Sequence, residues 1–187
     1  MMDNTALILI DIQNDYFPGG ALALEQPELA AEKAVQLLGM FREQQLPIVH
    51  IQHENLKPEL PFMRPGSKGQ SIHSNVQPMA NEQCFIKHYP NAFWNTGLEQ
   101  YLKDHGITRL VIAGMMTHMC VSSTTRAAME RGFEVTVIQD ACATRALELN
   151  GIEISSETVH RTSLAELTLI AQVKPIKTFL SEITSPA

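Results

Sequence analysis

The sequence predicts a three-layer α/β/α domain on a mainly parallel, Rossmann-like sheet of about six strands. Three observations carry that prediction. Apolar runs of strand length recur from end to end, segments with helical spacing separate them, and no internal repeat, low-complexity tract or linker interrupts the alternation. At 187 residues the chain fits one domain, taken as 1–187, large enough to bury a substantial core.

The elements follow in order. Ala6 to Asp11 is a continuous apolar run ending in a carboxylate, as a parallel strand covered on both faces should be. Pro27 and Glu28 open a helix whose Ala30, Ala34, Leu37, Leu38 and Phe41 repeat on one face; proline suits the first turn and acid suits its dipole. Pro47 to Gln52 reads as the second strand. The stretch from His53 to Asn81 has four prolines, two glycines and weak periodicity, and is long enough to be a functional lid rather than a plain connector. Cys84 to Lys87 is a short third strand. Leu98, Tyr101 and Leu102 mark a short helix stopped by Gly106. Arg109 to Ala113 is the fourth strand, and a helix from Val121 to Arg131 ends at Gly132. Phe133 to Ile138 is the fifth strand. A last helix is expected over roughly Ser155 to Gln172, then a short strand at Pro175 to Lys177.

Composition excludes several classes of function. A formal charge of -6 without a Lys/Arg cluster argues against a nucleic-acid binder. The apolar runs are too short to span a membrane, and Met1 to Thr5 lacks the pattern of a signal peptide. Cys84, Cys120 and Cys142 are an odd, widely spaced set without zinc-ligand spacing. Free thiols in a reducing cytoplasm are the expectation. Cys84 and Cys142 read as packing residues.

Ligands of open α/β sheets bind beyond the carboxyl ends of the strands, near the point where strand order reverses. Three ionisable residues stand at such ends: Asp11, Lys87 and Cys120. Asp11 would be a stranded charge unless paired, and Lys87 is a suitable partner. Cys120 closes the stretch Gly114-Met-Met-Thr-His-Met-Cys120 between a strand and a helix. A thiol at a helix N-terminus is expected to favour thiolate.

Four blocks, taken together, carry a resemblance over nearly the whole chain. They are Leu9-Ile-Asp-Ile-Gln-Asn-Asp-Tyr-Phe17; Ile86-Lys87 with Asn91-Ala-Phe93; Ala113-Gly-Met-Met-Thr-His-Met-Cys-Val121; and Thr125-Arg-Ala with Gly132 and Asp140-Ala141. The chain resembles the isochorismatase-like cysteine hydrolases, a superfamily that includes nicotinamidases and related amidohydrolases. The resemblance implies a catalytic triad of Cys120, Asp11 and Lys87. Cys120 would form a thioester with an amide-type carbonyl, Asp11 would move the protons, and Lys87 would orient Asp11. It further implies an oxyanion hole from the backbone N–H groups of Met116 and Cys120, and a non-proline cis peptide at Met115–Met116. It places Phe17, Asn91, Phe93, Thr117 and His118 around the substrate, with Phe62 or Met63 reaching in from the loop. It also implies a homodimer or homotetramer acting on a small molecule.

One departure matters. Nicotinamidases of this superfamily carry a metal-binding Asp-x-His motif after the second strand, where this chain reads His50-Ile-Gln-His53-Glu-Asn55. His50 and His53 lie three apart on a strand and point to opposite faces. No metal and no cofactor is the expectation, with these histidines hydrogen-bonded at a pocket rim; a site from His53, Glu54 and His73 is the alternative. The leading function is hydrolysis of a small-molecule amide or related C–N bond. A vinyl-ether hydrolase or a non-catalytic small-molecule binder stays open.

Overall fold

The computed structural model describes residues 2–184; residues 1 and 185–187 of the expected single domain lie outside it. The strands and helices are β1 (Thr5–Ile10), α1 (Pro27–Glu43), β2 (Ile48–His53), β3 (Gln83–Lys87), α2 (Leu98–Asp104), β4 (Arg109–Met115), α3 (Ser122–Glu130), β5 (Glu134–Ala143), β6 (Leu147–Leu149), β7 (Ile152–Ile154), α4 (Ser156–Leu167), β8 (Gln172–Lys174) and α5 (Ile176–Thr184). The main sheet is parallel, six strands wide, in the order β3-β2-β1-β4-β5-β8. The three-layer α/β/α prediction holds.

Strand β1 lies at the centre with every residue buried, which is why it is apolar from Ala6 to Ile10. Its side chains alternate between two cores. Leu7 and Leu9 pack with Ala34, Leu37, Leu38 and Phe41 of α1 and with Ile176 and Phe179 of α5. Ala6, Ile8 and Ile10 pack with Leu98 and Leu102 of α2, Ala127 and Ala128 of α3, and Leu164 and Leu167 of α4. Strand order reverses between β1 and β4, so their carboxyl ends open the crevice in which a site is expected. Gly114 makes the close approach possible there. It has φ +134°, and a Cβ on it would sit 2.0 Å from the Ile10 carbonyl oxygen.

The C-terminal expectations need correction. The helix expected over Ser155 to Gln172 is α4 and ends at Leu167, and the final strand is Gln172–Lys174 rather than Pro175 to Lys177. Pro175 instead precedes α5, whose Ile176 N–H donates to Asp140 Oδ1 at 2.8 Å. That cap gives Asp140 a structural task. An antiparallel hairpin, β6–β7, was also overlooked; its two-residue turn is Asn150-Gly151, with φ of 53° and 77°. The Asn-Gly pair was the legible signal for it.

The 54–82 segment is fastened rather than loose, and the residues after Asp11 fasten it. Gln13 Nε2 donates to the carbonyls of His53 (2.8 Å) and Gln70 (2.6 Å), while its Oε1 accepts from the His53 N–H. Asn14 Nδ2 donates to the Lys68 carbonyl, and the buried Asp15 carboxylate accepts from the N–H groups of Ala21 and Met63. Gly69 leaves room for that carboxylate, since a Cβ there would fall 2.1 Å from Asp15 Oδ1.

The far end is pinned by Glu82, which takes Arg42 through both oxygens (2.6 and 2.9 Å) and His50 Nε2 at 2.8 Å. Arg42 and the other hydrogen bonds at this site hold the Glu82 carboxyl down at about 2, although burial opposes them. Its contribution to stability is therefore complete above the ordinary carboxylate range near 4.5 and is lost as pH falls toward 2. Glu82→Ala is expected to cost about 3 kcal/mol in urea unfolding at neutral pH, because Arg42 and buried His50 lose their partner. The difference from the parent should shrink in acid; an unchanged midpoint at pH 7 would count against the anchor.

Candidate active site

Three side chains from three strand ends meet under one cavity. Asp11 directly follows β1 in a left-handed conformation, φ 49°, and is fully buried. A non-glycine residue pays about 1–2 kcal/mol for that conformation, a cost usually met where a side chain must be aimed. Lys87 ends β3 and is 1% exposed. Cys120 lies in a π-helical turn, Thr117–Val121, that feeds α3. The Lys87 ammonium is the hub: its Nζ is 2.7 Å from Asp11 Oδ2 and 3.2 Å from Cys120 Sγ. Apart from that ion pair, neither Asp11 oxygen has a hydrogen-bond partner among the described residues.

His53 completes the group, as a hydrogen-bonded histidine on the cavity border. Its Nδ1 lies 3.0 Å from Lys87 Nζ. The parallel pairing of β2 with β3 sets His53 directly beside Lys87, so the contact follows from register, which spacing along the chain does not reveal. His50 points the other way, to Glu82, as alternation requires.

The electrostatics revise one expectation. Burial, with the Asp11 charge beside it, pushes the Cys120 thiol up to about 12 despite the opposing Lys87 ammonium. The helix start is real, but removal from water outweighs it. The resting sulfur is a thiol. Burial also works against the Lys87 ammonium, but the Asp11 carboxylate and the hydrogen bonds to Asp11 and Cys120 outweigh it and raise its pKa above the usual lysine range. His53 is lowered to about 4, by burial first and Lys87 second, so it is neutral at neutral pH.

Donor atoms of Asp11, His53 and Cys120 lie within 4.8 Å of one another, a spacing that suits a cation. These three already surround a cation, the Lys87 ammonium. A divalent ion would have to displace it. His73 does not join them; its ring stacks on Phe17 at 3.7 Å.

The cavity at the Cys120 sulfur measures about 230 Å³ and is also bordered by Tyr16, His53, Asn55, Lys57, Leu60, Phe62, His88, Tyr89, Pro90, Met116 and Met119. Phe62 reaches in as expected, whereas Met63 is fully buried in the core. The Met115–Met116 peptide is cis. A larger hollow of about 430 Å³ is bordered by Cys142 together with Asp140 and His160, and the buried Cys142 thiol donates to the Ile138 carbonyl. Cys84, expected to pack, is exposed instead, because β3 is an edge strand.

Five residues expected around the substrate sit outside this cavity lining. Phe17 is buried against His73, and the neighbouring Tyr16 faces the cavity in its place. Phe93 packs on Phe133 with the Arg131 guanidinium 5.0 Å from its ring centre. Asn91 Oδ1 accepts from the Phe93 N–H. Thr117 Oγ1 donates to the Ala143 carbonyl, and His118 Nδ1 is 2.6 Å from Thr144 Oγ1. Thr117 and His118 thus brace the Cys120 turn against the end of β5, while Asn91 and Phe93 shape the loop beside α3.

Comparison with known proteins agrees with this geometry. The family profile of the Isochorismatase domain matches residues 5–172. An uncharacterized isochorismatase family protein of Bacillus subtilis, YddQ, is 43% identical over 177 residues, 94% of this chain and 98% of that one. The crystal structure of an isochorismatase from Pseudomonas putida superposes with a TM-score of 0.87 at 31% identity, covering 94% of this chain and 89% of the other. A maleamate amidohydrolase of Pseudomonas putida is 28% identical, covering 75% of this chain and 72% of its own.

Proposed function

Since the chain belongs to the isochorismatase family of hydrolases, we propose that it hydrolyses a small-molecule amide or related C–N bond through Cys120. The observation that supports this most is one ammonium, Lys87, touching both a carboxylate and a thiol at the base of a small cavity. A relative that is an amidohydrolase points the same way.

The chemistry follows from the protonation states. As Cys120 Sγ attacks the carbonyl carbon, its proton passes to Asp11, which lies within reach and has unoccupied lone pairs. Lys87 holds the charges of that exchange in place. The backbone N–H groups of Met116 and Cys120 serve as the oxyanion donors, each worth about 3–4 kcal/mol in comparable sites. Collapse of the tetrahedral intermediate breaks the C–N bond, and Asp11 returns the proton to the departing amine. Water then attacks the thioester while Asp11 takes its proton. The acid leaves, and the proton returns to sulfur.

A panel of small primary amides is expected to release ammonia, with a thioester adduct on the Cys120 peptide seen by intact and peptide mass after rapid acid quench. Turnover without any covalent species, and undiminished in Cys120→Ser, would instead favour a reaction that Asp11 runs alone.

A further inference from the structure

Lys87 fixes the proton on a fourth side chain. An ammonium has three N–H donors. Here three acceptors surround it: Asp11 Oδ2, His53 Nδ1 and Cys120 Sγ, at 2.7, 3.0 and 3.2 Å. His53 Nδ1 therefore accepts, and a neutral imidazole in that role carries its own proton on Nε2. His53 borders the cavity, and among the described residues its Nε2 has no partner.

Tyr16 repeats the situation. It is 2% exposed, borders the same cavity, and its hydroxyl has no partner among the described residues. Burial, then the neighbouring acidic groups of Cys120, Asp11 and Asp15, hold that phenol well above its ordinary range, so it stays a donor. Asn55, also on the cavity border, uses its Oδ1 to accept from the Lys57 N–H, which orients the amide, and its Nδ2 is left buried and unpaired. An orphaned buried donor costs about 1–3 kcal/mol. The cavity border contributes no carboxylate, and its one formal charge is the cation Lys57. The wall is rich in donors and short of acceptors.

We propose that the substrate's acyl part carries a second hydrogen-bond-accepting group, a carboxylate or carbonyl beside the scissile amide, held by the Nε2–H of His53 and the hydroxyl of Tyr16. The proposal rests on the amide-hydrolase reading and narrows it to one class of amide. Simple aliphatic amides leave both donors unpaired and are poor substrates.

The test uses binding, so it does not depend on turnover. Titration with succinate and with butyrate is expected to give at least about tenfold tighter binding of succinate, the worth of one or two hydrogen bonds. Levulinate, with a neutral ketone in place of succinate's second carboxylate and no amide to hydrolyse, tells a neutral carbonyl from a charged carboxylate; retention of the preference by either compound supports the proposal and names the group. His53→Asn keeps an acceptor for Lys87 but lacks the distal N–H, and Tyr16→Phe lacks the hydroxyl. Each is expected to reduce the succinate-to-butyrate ratio at least about threefold. Nitrogen-15 spectra of labelled histidine in the parent protein give a second measurement that needs no variant. They should show the Nε2–H tautomer of His53, perturbed by succinate.

A ratio near one for both acceptor-bearing compounds overturns the proposal, as does an Nδ1–H tautomer. Failure of the underlying amide-hydrolase reading looks different: no ammonia from any amide, whatever binds.

Discussion

Cys120→Ala is expected to remove amide hydrolysis, with kcat falling by at least about four orders of magnitude, because no other group can form the acyl intermediate. Ammonia release under single-turnover conditions measures it. Because the buried sulfur borders the cavity and also packs in the core, a modest loss in urea unfolding is expected beside the loss of activity. Alkylation must be interpreted with care: Cys84 is exposed and Cys142 is buried, so an iodoacetamide adduct on Cys84 reports nothing about the site. The informative comparison is the Cys84→Ser protein, which should keep full activity and still lose it when Cys120 is replaced. Turnover surviving in Cys120→Ala would remove the thioester mechanism.

Lys87→Met carries the largest expected effect on stability. It leaves the fully buried Asp11 carboxylate without its counter-charge, and breaking such a pair from one side costs about 3–5 kcal/mol. The sign of the pH dependence follows from the raised Lys87 value. Its stabilisation is complete below the ordinary lysine pKa of 10.5 and is lost as pH rises through the higher folded value. The parent should therefore lose an alkaline component of stability that Lys87→Met never had. The double variant Asp11→Asn with Lys87→Met removes both charges and should recover most of the unfolding free energy while remaining inactive. Urea unfolding across pH 7 to 11 separates the two contributions. A single variant as stable as the parent would show that the pair is not the buried ionic contact described here.

Much of this architecture was legible in the chain. The unbroken apolar run of β1 announced a central parallel strand, because a strand covered on both faces has no polar side to show. Proline at the start of α1 and its single apolar face announced the helix and its packing direction. Asp11, Lys87 and Cys120 were visible as ionisable residues at successive strand ends, where the α/β fold gathers its chemistry. The resemblance named the same three residues.

Other features depended on neighbours across space. His53 was unremarkable until the register of β2 against β3 set it beside Lys87. Gln13, Asn14 and Asp15, which stand inside the first block of the resemblance, clasp the 54–82 segment, and their partners lie roughly forty to sixty residues away. The cavity is bordered by Tyr16 rather than Phe17, a one-residue difference in a short helical turn that decides which side chain turns inward. The sulfur's proton shows the limit most clearly. Local sequence offered a helix start and hence a thiolate, whereas the assembled fold removed Cys120 from water and set a carboxylate near it. Chain order determined which groups are present and on which element. Charge states, cavity walls and proton positions came only from the packed structure, because hydration and Coulomb fields depend on distances through space.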